Sequence, residues 1–71
     1  MKDQDLIRMA NQIASYFAAY GEAEAVTGIA AHVTSFWDPR MRAQLLAFAD
    51  DAADLDPLVK QAVKELKPVT T

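Results

Sequence analysis

Few side chains in this 71-residue sequence are of kinds that do covalent or acid–base chemistry. There is no cysteine and a single histidine, His32. A nucleophile needs a base held beside it in a water-excluding pocket. Ser15 and Ser35 have no histidine–acid constellation near them in sequence. His32 falls one helical turn before Phe36, beside an apolar stripe. It reads as a half-buried packing residue, with a partner contact or a pH-sensitive role as the alternatives. The carboxylates cluster at Asp50, Asp51, Asp54 and Asp56. A calcium loop would need alternating ligands, a central glycine and a terminal glutamate, and these are missing. A solvated acidic connection is the expectation. Gly21 and Gly28 belong to no phosphate-cradling glycine loop. No catalytic, cofactor-binding or metal-ligating residue is therefore assigned.

The informative segment is FWDPRMR, residues 36–42. Two large aromatics are followed by Asp38–Pro39, an N-cap and a first helical position. Arg40 and Arg42 then fall in the first turn of the next helix. Cations there oppose the partial positive charge of a helix N-terminus, each costing roughly 0.3–1 kcal/mol when exposed. Asp50 and Asp51 lie at the opposite, equally unfavourable pole. Something should offset this reversal. Acids within the chain, a partner's carboxylates, or a phosphate-rich ligand would each suit the planar arginine fork. Phe36 and Trp37 read either as core anchors or as interface residues, and Trp with Arg is a pairing typical of interface hot spots.

The elements that must position these residues are helices. Leu6, Met9, Ile13, Tyr16, Phe17 and Tyr20 recur at steps of three and four across residues 5–20. Asp3 or Asp5 is expected to cap this helix, and Gly21 to close it. Ala23, Val26, Ile29, Ala30, Val33, Phe36 and Trp37 carry the second stripe, over residues 22–36. Gly28 weakens that helix by about 1 kcal/mol relative to alanine, so a neighbouring helix is expected to approach it closely. A third helix is expected over residues 39–49, then an acidic connection over 50–56. Asp56–Pro57 opens a fourth helix bearing Leu58, Val59, Ala62, Val63 and Leu66. Pro68 is expected to end it, leaving residues 67–71 as a frayed tail. No strand alternation occurs. The expected fold is all-α, one domain over residues 1–71, a bundle of three to four short helices. Its expected core is Leu6, Ile13, Phe17, Val26, Ile29, Val33, Phe36, Leu45, Val59 and Val63.

Composition narrows the function. A domain this small buries only ~60% of its unfolded surface. It has ~3–5 kcal/mol of stability to itself. Without cysteines to staple it, oligomerisation or a larger partner is the remaining support, and a homodimer of the isolated chain is expected to pair any exposed apolar stripe. The formal charge of −3 argues against nucleic acid, which counts against a helix-turn-helix reading of the turn at Asp38. No run approaches the ~20 apolar residues of a membrane span. The start, MKDQD, lacks the apolar core of a signal peptide. The expected compartment is the cytoplasm.

Three blocks carry a resemblance: MANQIA at residues 9–14, IAAHV at 29–33 and FWDPRMR at 36–42. In order and spacing they resemble the delta subunit of NAD-dependent formate dehydrogenases. The likeness covers residues 6–46 and extends weakly into the DPLV start of helix four; FWDPRMR is its most specific part, and no motif matches around residues 47–53. The resemblance implies a small accessory subunit of a cytoplasmic molybdenum- or tungsten-containing enzyme. In such a complex the large catalytic alpha subunit holds the bis-molybdopterin guanine dinucleotide and iron–sulfur clusters, while other subunits carry flavin and reduce NAD. The implied role is non-catalytic support of assembly or stability. The alternative is a maturation factor that assists molybdenum cofactor insertion. The residues expected to meet the partner are Asn11, Gln12, His32, Trp37, Arg40, Met41 and Arg42, with Asp38 acting as a cap.

Overall fold

A computed structural model describes residues 2–66 of the chain. Four helices follow one another: α1 (Asp3–Phe17), α2 (Glu22–Phe36), α3 (Pro39–Phe48) and α4 (Pro57–Leu66). Short 3-10 turns, Ala18–Tyr20 and Ala49–Asp51, extend α1 and α3. No strand occurs among the described residues. The expected tail at 67–71, with the proposed stop at Pro68, lies outside them.

The two Asp–Pro starts form as their chemistry requires. Asp38 Oδ1 accepts from the Met41 amide at 2.9 Å, with Pro39 at the first position of α3. Asp56 Oδ1 accepts from the Leu58 amide at 2.8 Å. Each satisfies an amide that has no partner inside its own helix. The start of α1 differs from expectation. Lys2 occupies the capping position and makes no side-chain cap bond; Asp3 and Asp5 lie within the first turn. They act there as charges at the positive helix pole. Asp3 also accepts from Gln44 of α3 at 2.9 Å. Gly21, at φ +92° and ψ 158°, lets the chain reverse between α1 and α2. A side chain there would be strained.

Leu6, Ile29, Val33, Leu45, Val59 and Val63 are completely enclosed. Burying each such side chain is worth about 1.5–3 kcal/mol. The most extensive packing is between α2 and α4, whose buried members are mostly small, Ala25, Val26, Ile29 and Val33 on one helix and Val59, Ala62 and Val63 on the other, which allows a close approach. Gly28 has the same cause from another side. A Cβ there would lie 2.5 Å from the Phe17 ring of α1, so the expected close approach is real.

One core expectation fails. Phe36 is 76% exposed, whereas its neighbour Trp37 is only 5% exposed. Helix α2 ends at Phe36, and the extended backbone of Trp37 turns the indole inward. Ile13 and Phe17 are mostly buried as expected, packed at the edge of the core. The acidic connection is also less solvated than expected: Leu55 sits at 3% exposure in the core cluster. Helix α3 stops at Phe48, one residue early, where the 3-10 turn begins.

Candidate functional site

Among the described residues, an open apolar groove of about 570 Å³ runs along α1 and α2. Met9, Gln12, Ile13, Tyr16 and Phe17 form its α1 wall; His32, Phe36 and Trp37 form the other. Met9 faces the Trp37 end and Phe17 lies against Gly28, so the two helices run antiparallel. Tyr16 is 67% and Phe36 76% exposed. Tyr20, 53% exposed, continues the row. The aromatics are arranged edge-on and tilted: Tyr16 and Phe17 at 5.0 Å and 87°, Phe17 and Tyr20 at 6.0 Å. Hydrogen bonding with Tyr16 and that phenol's charge push the Tyr20 pKa above 10.0. Across the groove, His32 stacks on Phe36 at 4.8 Å.

The structure divides the expected contact residues into two groups. Gln12 and His32 line the groove and are free to meet another molecule. Arg40 is exposed on the first turn of α3. The others are engaged by the fold. Trp37 belongs to the core and shows the groove only an edge. Met41 packs against the same core. Asn11 donates to the Asp54 carbonyl at 2.9 Å and accepts from the Asp56 amide at 2.8 Å. This pins the loop that carries Leu55 and launches α4. A smaller, more polar hollow of about 380 Å³ opens beside Asn11 and Asp54.

Arg42 resolves the reversed charge order of α3. Its guanidinium turns back to the end of α2 and donates to the carbonyls of Thr34, at 3.2 Å, and Trp37. These are carbonyls that the helix itself leaves unpaired. A cation at this negative pole is favourable. Arg42 is thus misplaced relative to its own helix and well placed for the preceding one. Neither a carboxylate nor an outside ligand is needed.

Reactive groups are sparse. No polar or charged side chain is buried among the described residues. Ser15 and Ser35 are both exposed. No group of three or more His, Asp or Glu side chains there could hold a metal ion. No helix among the described residues is long and apolar enough to cross a membrane. What the geometry offers is an apolar, aromatic-rimmed surface. Residues 5–63 match the family model described as NADH-dependant formate dehydrogenase delta subunit FdsD. The chain belongs to this delta-subunit family. Its family is thus one of formate dehydrogenase subunits, and the matched region spans all three blocks of the resemblance. Comparison with curated proteins and with solved structures gives no match.

The groove was only partly legible in the delta-subunit sequence. The step pattern Met9, Ile13, Tyr16, Tyr20 is visible there, and it is offset by one position from the buried row of Leu6, Ala10 and Ala14. The signal for two apolar rows was thus present as an excess width of the stripe. The engagement of Asn11 across 43 and 45 residues had no local signal.

Proposed function

We propose that this delta subunit is a non-catalytic accessory subunit. It docks on the larger, cofactor-bearing catalytic subunit of a cytoplasmic formate dehydrogenase and supports assembly or stability of the complex. The observation that carries this reading is the α1–α2 groove, where Tyr16 and Phe36 stay exposed on a chain too small to waste large aromatics. Apolar surface left in this way marks interaction sites. The contact residues proposed are Tyr16 and Phe36 as anchors, Gln12 and His32 as hydrogen-bonding groups, and Arg40 at the edge. Asn11, Trp37, Met41 and Arg42 support the surface from behind. The redox cofactors stay with the larger subunits.

Co-purification of the tagged chain from its native host, with metal analysis of what accompanies it, tests the reading. The expected result is a stoichiometric complex containing the molybdenum or tungsten subunit. Recovery of the chain alone, with fully active enzyme assembled in a strain lacking it, would overturn it. Association only with cofactor-free catalytic subunit, together with binding of the guanine dinucleotide cofactor by the isolated chain, would replace it with the maturation-factor reading.

A further inference from the structure

We propose that Arg42 is a lock on the corner between α2 and α3: its guanidinium holds the last turn of α2 and the extended Trp37 in one conformation, and so fixes the Phe36–Trp37 end of the groove. The lock itself concerns the isolated chain. Its bearing on assembly rests on the accessory-subunit reading, which it deepens by naming the residue that positions part of the candidate docking surface.

The corner is short and tightly constrained on one side. Helix α2 ends at Phe36, Trp37 and Asp38 are extended, and Pro39 opens α3. Proline disfavours helical backbone in the residue before it, so Asp38 does not prolong α2. From Asp38 onward the chain is well tied. Asp38 Oδ1 accepts from the Met41 amide at 2.9 Å, and the Asp38 carbonyl accepts from the Arg42 amide at 3.1 Å. The end of α2 has less to hold it. The Trp37 amide donates to the Val33 carbonyl at 3.1 Å. Past that bond a helix leaves its carbonyls without partners of its own, and such ends fray.

Arg42 supplies what the helix lacks. One nitrogen, Nη1, donates to the Thr34 carbonyl inside the last turn, at 3.2 Å, and to the Trp37 carbonyl beyond it. A single side chain thus bridges helical and extended backbone across the point where the conformation changes. Its own backbone belongs to the first turn of α3, so the lock is anchored on the far side of the corner. Between the two bonded carbonyls lies Phe36, 76% exposed, next to Trp37 at 5%. Both line the groove, and His32 stacks on Phe36 at 4.8 Å. Trp37 is held by its amide, its carbonyl and its buried indole. Phe36 keeps its place only while the last turn stays wound.

Trp37 is the one tryptophan of the chain, so its emission reports on the corner. Arg42→Gln shortens the side chain and removes the charge. In the isolated, folded variant, Trp37 emission should shift to the red and acrylamide quenching should rise several-fold. Val63→Ala serves as a control for lost stability alone. Val63 is buried in α4, one turn or less from Gln61, which reaches Glu22 at the opposite end of α2 at 3.1 Å. That variant should keep the native emission. Hydrogen exchange of the unmodified chain adds a measurement that needs no variant: the Trp37 amide should exchange about as slowly as that of Val33. Unchanged emission and quenching in folded Arg42→Gln, or far faster exchange at Trp37 than at Val33, would overturn the lock. In the complex with the larger subunits, Arg42→Gln should lower retention of the catalytic subunit several-fold and Val63→Ala should not. Shifted emission with normal retention would leave the lock standing and remove this end of the groove from the docking surface.

Discussion

Helix α2 has two sides with opposite fates. Inward it presents Ile29 and Val33, which are sealed in the same core as Val59 and Val63 of α4. Toward α1 it presents Gly28, His32 and Phe36, and there the packing stays open. Small and β-branched residues fill the closed side, so the helices meet without gaps. Large aromatics rim the open side, and they hold the surface apart instead of filling it. The same helix therefore builds the core with one face and leaves an open apolar groove along the other. The difference predicts that substitutions on the two faces will separate stability from assembly.

The largest effect belongs on the closed face. Ile29→Ala should cost about 2–5 kcal/mol, the range for truncating a fully buried aliphatic side chain. That is comparable with the whole stability expected of so small a domain. Urea unfolding should show little native baseline left. A loss under ~1 kcal/mol would mean that the core around Ile29 is looser than its complete burial implies.

Next comes the pair of arginines, which the sequence alone treats alike. Arg42→Gln should destabilise the isolated chain by about 1–2 kcal/mol. It removes charge-assisted bonds to the end of α2, discounted for partial exposure. Arg40→Gln should stay within about 0.5 kcal/mol, as exposed substitutions do. Thermal melts of the two single variants check this. Equal effects would show that the return of Arg42 to α2 contributes nothing.

This contrast also shows what sequence makes legible. Helical periods and Asp–Pro caps are local, so all four helices could be placed, along with the roles of Asp38 and Asp56. The direction of a stripe is not local. On α1, apolar residues cover more than the inner face, and only packing decides that Leu6 goes in while Tyr16 stays out. Phe36 and Trp37 are adjacent and equally apolar; the helix end between them assigns one to solvent and one to the core. The charge reversal of α3 was readable, but its remedy lay in the preceding helix. Leu55 was hidden among aspartates, because nothing nearby signals that Asn11 will hold its loop.

A smaller effect tests the seam between the two faces. Gly28→Ala should gain about 1 kcal/mol of helix propensity, yet the new methyl would lie 2.5 Å from the Phe17 ring. The ring borders the open groove and must swing away, giving up contacts worth a similar amount, so the net change should be near zero. In a Phe17→Leu background the shorter side chain relieves the clash, and the full gain should return. Unfolding curves of the four proteins in this double-mutant cycle measure the coupling directly. Strict additivity would mean that Phe17 does not in fact hold α1 and α2 at their observed separation.

The smallest effect on stability belongs to the most exposed aromatic. Phe36→Ala removes the stacking contact with His32, at 4.8 Å. Such a contact is worth about 0.5–1.5 kcal/mol when well packed, and the low end applies here because the ring is 76% exposed. Alanine returns about half a kcal/mol of helix propensity. The two terms nearly cancel, so the melting temperature of the isolated chain should move by no more than a few degrees. Retention of the catalytic subunit should nevertheless fall, because the side chain that would have entered the partner is gone. Melts and pull-downs of this one variant place it on either face of the comparison. A loss of stability approaching that of Ile29→Ala would make Phe36 part of the core, and the open side of α2 would be open in appearance only.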